Sequence, residues 1–157
     1  MSVNPADSVV FGTLYGSEAM REAAGDRAWL QRMLDVEAAL ARVEARLGLI
    51  PAEAAPAITA AARAGKLDMT ALAISTRNTG YPVVGLVKQL SQAAGPEAGR
   101  WTHWGATTQD ILDTATVLVI RDALAIIERD LDRVCAALAA RAEEHRGTVM
   151  ALSLIHI

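Results

Sequence analysis

Apolar and polar positions alternate along this chain with the period of α-helices. From Asp26 to Leu47, Trp29, Met33, Val36, Leu40, Val43 and Leu47 recur at spacings of 4, 3, 4, 3 and 4. That is a heptad-like stripe, and Gly48 and Pro51 stop it. Upstream, residues 1 to about 25 read as irregular, with one helical turn around Ser17–Ala24; Gly25 ends it, and Asp26 is placed to cap the next helix. An Ala-rich helix is predicted from about Pro51 to Ala64, and a short one capped by Asp68 to about Ser75. Thr79-Gly-Tyr-Pro82 makes a turn, and Pro82 opens a helix to about Ala94. Gly95, Pro96 and Gly99 mark a loop.

The last element is the longest. From near Thr108 to about Arg146 there is neither Gly nor Pro, and Val117, Ile120, Leu124, Ile127, Leu131, Val134 and Leu138 are spaced 3, 4, 3, 4, 3 and 4. Such a helix measures roughly 55–60 Å at about 1.5 Å per residue. The short helices before it are too small to cover it, so its stripe requires partner helices from elsewhere or copies of itself. The pattern as a whole predicts an all-α chain.

Composition agrees. The 157 residues are 52% hydrophobic but only 4% aromatic, which favours Ala- and Leu-rich helices packed on helices over a β-sandwich. A net charge of −3 with interspersed signs lacks the basic footprint of a nucleic-acid binder. No signal peptide or membrane span is read, since Arg121 and Asp122 break the richest apolar run; a soluble, cytoplasmic protein is expected. The single cysteine, Cys135, reads as a small buried hydrophobe. Trp29 reads as core, Glu37 and Glu44 as solvated or interhelical ion-pair positions, and His145 as a structural residue near a helix end. There is no metal-spaced His/Cys cluster, phosphate loop or nucleotide fingerprint, so neither metal nor cofactor is expected.

Chemistry concentrates in Arg100-Trp-Thr-His-Trp-Gly-Ala-Thr-Thr-Gln-Asp-Ile-Leu-Asp-Thr-Ala115. This is a glycine turn running into a helix N-terminus. Thr107 is placed as the N-cap and Asp110 as the acidic partner of a capping box. The first helical turn offers free N–H groups and a partial positive charge, to which two threonine hydroxyls and the His103 imidazole add donors. The segment is therefore either a cradle for a carboxylate or phosphate, with Gly105 allowing close backbone approach, or a capped helix with a structural histidine.

His-Trp-Gly-Ala-Thr-Thr-Gln-Asp-Ile-Leu-Asp-Thr-Ala resembles the first signature of the fumarase/aspartase superfamily. The form is closest to 3-carboxy-cis,cis-muconate cycloisomerases and adenylosuccinate lyases. Met33-Leu-Asp-Val-Glu-Ala-Ala-Leu-Ala41, Pro82-Val-Val-Gly-Leu-Val-Lys-Gln-Leu90 and Arg121-Asp-Ala-Leu124 resemble that family's helices in the same order. The resemblance implies an aspartase-like all-α fold: a small N-terminal helical domain over 1–105, then the first long helix of a central bundle over 106–151, assembled as a homotetramer.

It also implies chemistry beside a carboxylate, on a small dicarboxylate or tricarboxylate substrate. Thr107 and Thr108 would donate to the substrate carboxylate, and His103 would contact substrate or orient the acid. Gln109 joins them as a substrate-side residue, and it and Asp110 position the turn. Asp113 and Thr114 would hold the helix start. Tyr81 stands where adenylosuccinate lyases carry histidine and cycloisomerases asparagine; it either enters the site or packs over its turn. The substitution favours cycloisomerisation over adenylosuccinate-type elimination, with a non-catalytic helical assembly module as a third reading.

The family's catalytic serine loop and second-signature histidine have no counterpart here, so an N-terminal piece without its catalytic base is expected, inactive alone. In the family, Thr148-Val-Met-Ala151 would continue into Gly-Arg-Thr. The tail 152–157, with His156, instead reads as non-native, resembling a translated sequencing adapter.

Overall fold

The computed structural model describes residues 5–149. Among these there is no strand, and seven α-helices follow one another: α1 (Glu18–Ala24), α2 (Asp26–Arg46), α3 (Ala54–Ala61), α4 (Met69–Thr79), α5 (Pro82–Ala94), α6 (Pro96–Gly99) and α7 (Thr108–Glu144). Three short 3-10 turns, at Pro5–Asp7, Gly12–Leu14 and Ala64–Lys66, complete the order. The tail 152–157 lies outside the described residues. No described helix is long and apolar enough to cross a membrane.

One core serves the first compact unit, which runs through Ala123. Its axis is α2, whose buried face is Leu30, Met33, Leu34, Glu37, Ala38, Ala41 and Glu44. Ala38 and Ala41 join one cluster with Ala54, Ala55, Ile58 and Ala61 of α3, small residues that let the two helices approach closely. A helix end leaves carbonyls and amides to satisfy. Gln31 does this beyond α3, where its amide donates to Ala62 O at 3.2 Å and its carbonyl accepts from Ala64 N at 2.9 Å. Gln89 of α5 pairs likewise with the backbone of Asp68, whose carboxylate caps α4 through the N–H groups of Thr70 and Ala71.

Helices α4 and α5 pack against each other across the Gly80–Tyr81 turn. At Gly85 a Cβ would fall 2.8 Å from Ser75 Cβ and 2.9 Å from Leu72 Cδ1, so glycine permits this crossing. A closer contact joins α5 to α6. Ser91 Oγ donates to Gly99 O at 2.7 Å, and a Cβ on residue 99 would meet Ser91 O at 2.1 Å.

Helix α7 is 37 residues long, about 55 Å at 1.5 Å per residue. Its first turns are anchored by buried Ile111, Ala115 and Val119 and by the Arg32 guanidinium, which meets Asp122 Oδ2 at 2.6 Å and Asp35 Oδ2 at 2.8 Å. The second unit begins at Leu124. Every residue from Leu131 to Val149 is exposed. The predicted stripe, Val117 to Leu138, is 44–64% exposed at all seven positions.

Several expectations are corrected. Asp26 is the first residue of α2 and does not cap it; Gly25 is the N-cap, without a side-chain bond. The Ala-rich helix is shorter than expected, because the chain leaves helical geometry at Ala62 (ψ 69°), where Gln31 takes over its bonding. Helix α4 runs on to Thr79, and the loop at Gly95–Gly99 is the single-turn helix α6. Cys135 is exposed, since no described residue covers that stretch of α7. On α2 the buried face is rotated from the predicted stripe. Met33 is buried and Trp29 packs partly buried against the core, but Val43 and Leu47 are exposed.

Candidate active-site turn

The turn between α6 and α7 is shaped by two residues in left-handed conformation. His103 has φ +60° and is the one non-glycine residue with positive φ among those described; Gly105 follows at φ +67°. Glycine adopts this region without penalty, whereas an L-residue pays on the order of 1–2 kcal/mol. Histidine is among the residues enriched there. The reversal brings the indoles of Trp101 and Trp104 together, with ring centroids 4.8 Å apart and planes tilted by 60°.

What holds His103 in this geometry is a carboxylate buried in α2. His103 Nδ1 lies 2.6 Å from Glu37 Oε1, and the Glu37 side chain has no solvent exposure. Glu37 Oε2, Glu44 Oε2 and Thr102 Oγ1 are buried without a hydrogen-bond partner among the described residues. Burial pushes the Glu37 carboxyl above its ordinary range; the charge of His103 and its hydrogen bonds oppose this, and the charge of Glu44 adds to it. Burial likewise pushes Glu44 up, against a smaller opposing effect of His103. Burial corrects the reading of both glutamates as solvated, and Glu44 has no ion-pair partner among the described residues, whereas Glu37 does meet an ionisable partner in His103. The two glutamates sit seven residues apart on the buried face of α2, in register with Met33, Leu34 and Ala41. That i, i+7 placement within a small apolar stripe was the available signal, and the neighbouring heptad of larger residues hid it.

For Glu44 the linkage sign is clear. A carboxyl that holds its proton more tightly when folded stabilises the fold at acid pH, and loses that stability as pH rises through and above its ordinary value of 4.5. Glu44→Met, which also removes the unpartnered buried oxygen, is expected to raise Tm near neutral pH and to change it less in mild acid. Thermal melts at the two pH values check this; an equal or larger gain in acid would contradict it.

The helix start follows the capping expectation in half. Asp110 Oδ2 accepts from the backbone N–H of Thr107 at 2.9 Å, and Asp110 N donates to Thr107 O at 3.1 Å. The Thr107 and Thr108 hydroxyls make no hydrogen bond among the described residues; Thr107 is exposed and Thr108 half-buried. Gln109 is exposed and donates to Asp113 Oδ1 at 2.5 Å, tying two turns of α7 together. Tyr81 makes no hydrogen bond to this group. It is half exposed at the start of α5, and its backbone is bonded to Thr79. His145 lies just past α7, its ring 3.3 Å from Thr148 Oγ1.

Beside the turn runs an open groove of about 650 Å³, lined by Val36, Leu40, Val43, Glu44, Gly105 and Asp110 among others. Part of the misplaced α2 stripe thus forms its wall. His103, Thr107 and Thr108 do not line it. The site accordingly consists of unengaged hydroxyls and N–H groups at a helix N-terminus, next to a histidine backed by a buried carboxylate.

The sequence profile of a family described as lyase matches residues 15–152. The chain belongs to the lyase family. Its membership bears out the resemblance to the fumarase/aspartase superfamily carried by the motif from His103 to Ala115. A nitrosuccinate lyase of Streptomyces davaonensis is 47% identical over 148 residues, spanning 92% of this chain and 31% of the relative. A 3-carboxy-cis,cis-muconate cycloisomerase of Bradyrhizobium diazoefficiens is 44% identical over 151 residues, spanning 94% and 34%. The crystal structure of a fumarate lyase from Mesorhizobium sp. BNC1 superposes with a TM-score of 0.83 at 52% identity, covering 88% of this chain and 33% of that one. The all-α fold of this lyase-family chain is therefore shared with a solved relative. The chain spans about a third of the length of the curated relatives it matches.

Proposed function

We propose that this chain is the N-terminal part of a cycloisomerase that closes 3-carboxy-cis,cis-muconate to a lactone in aromatic-acid breakdown. The observation that carries the reading is the pair of unengaged threonine hydroxyls at the N-terminus of α7, beside the Glu37–His103 contact. A substrate carboxylate would sit against the first N–H groups of α7, where the helix dipole favours negative charge. Thr107 and Thr108 would donate to its oxygens as charge builds on them. An internal carboxylate of the substrate would then form a C–O bond to the neighbouring double bond, whose π electrons pass onto the held carboxylate until an acid from the rest of the parent enzyme protonates the adjacent carbon. The catalytic serine loop and the second histidine would come from the rest of the parent enzyme, which is expected to be a cytoplasmic homotetramer with no cofactor. The domain division at about residue 105, and the non-native character of 152–157, belong to this proposal.

A second reading is an eliminating dicarboxylate lyase. The 47% identity to a nitrosuccinate lyase favours it. Both are tested by a chimera in which residues 15–151 replace the matching stretch of the Bradyrhizobium cycloisomerase. Turnover of the carboxymuconate is the expected result. Turnover of a substituted succinate instead would select the lyase reading, and a folded, assembled chimera that turns over neither would sink the enzyme reading.

A further inference from the structure

We propose that Glu37 is a positioning residue that holds His103 in the tautomer with its proton on Nδ1, leaving Nε2 as a hydrogen-bond acceptor for a ligand. The functional part of this rests on the reading of the 103–110 turn as a substrate site. Three observations carry it. The contact at 2.6 Å joins a ring nitrogen to a carboxylate with no solvent exposure, and the hydrogen bonds to that carboxylate come from His103 itself, through its ring and its backbone. In the proposed state Glu37 is ionised despite its burial, so its oxygens only accept and the shared proton rests on Nδ1; a protonated Glu37 donating to Nδ1 would give the opposite tautomer. His103 Nε2 has no hydrogen-bond partner among the described residues, and its side chain keeps 18% exposure, so the free nitrogen is the reachable one.

Packing alone gives no reason for this arrangement. Glu37 stands among Met33, Leu34, Ala38 and Ala41, where an apolar side chain would fill the space, and its second oxygen is left without a partner. His103 in turn occupies a backbone region where glycine would sit more easily. Two locally unfavourable choices meet in one hydrogen bond, a pattern expected where a ring orientation is being fixed. The assignment also changes what His103 offers. A neutral imidazole so held cannot donate to a carboxylate through Nε2. It pairs with a ligand O–H or N–H, and so complements the threonine donors instead of duplicating them.

The experiment is a long-range proton–nitrogen correlation spectrum of the full 157-residue chain labelled with nitrogen-15 histidine, taken on a sample shown to be folded by circular dichroism and above the titration range of free imidazole. His103→Gln identifies the His103 signals among the three histidines. The expected result is a pyrrole-type Nδ1 and a pyridine-type Nε2 at His103. Glu37→Met should lose that pattern and gain the Nε2–H form, while Glu37→Gln, which keeps an acceptor, should restore it. Should Glu37→Met fail to fold, the wild-type spectrum still decides, because an Nε2–H or doubly protonated His103 there overturns the proposal. An inactive chimera alongside the Nδ1–H tautomer would remove the enzyme reading and leave the role of Glu37 standing. An active chimera with the Nε2–H tautomer would do the reverse.

Discussion

Replacing Thr107 and Thr108 by valine in the active chimera lowers kcat/KM by about 10²–10³-fold for each donor that meets developing charge. Assembly and helix content should stay as they were. The separation is expected because neither hydroxyl carries a structural bond among the described residues. The N-cap work is done by Asp110, which accepts from the backbone N–H of residue 107 and would do so whatever side chain stands there. Valine keeps the shape and the β-branching while removing the O–H. Steady-state kinetics, with sedimentation as the control, read the two effects apart. Lost assembly with activity per folded site unchanged would favour the helical-scaffold reading.

The second large effect concerns the exposed stripe of α7. This chain by itself is expected to self-associate or to unfold readily, and Leu124→Glu, Leu131→Glu and Leu138→Glu together are expected to abolish the association. All three leucines are about half exposed or more. Full burial of a leucine side chain is worth about 1.5–3 kcal/mol, so covering the exposed half of three contributes roughly 2.5–5 kcal/mol to any assembly that does so. Sedimentation velocity of the wild-type chain against the triple variant measures this. A wild-type chain that is monomeric and unfolds in one cooperative step would contradict it.

Most of the helix boundaries were legible in the sequence, because they are set by local chemistry. Asp68 caps α4, Pro82 opens α5, and α7 starts directly after Thr107. The turn's importance was legible too, as a density of polar groups between two tryptophans. What escaped was which face of α2 is inside. Its large residues, Val36, Leu40 and Val43, line an open groove, while the alanines and the two glutamates go in. Side-chain size suggested the opposite. Burial here follows the close approach of α3, which small residues permit, and a contact between Glu37 and His103 across 66 positions that no local pattern encodes.

Gly99 supplies no functional group to the site, though its carbonyl accepts from Thr102 N–H at 3.2 Å, and a methyl group on its Cα would collide with Ser91 O. Two residues later the chain enters the segment of Trp101 and His103. A side chain at position 99 is thus excluded for a reason that lies in backbone clearance. An invariant glycine in such a place would mark the scaffolding of the turn and not its chemistry, and a comparison of many lineages would have to tell those two kinds of constraint apart.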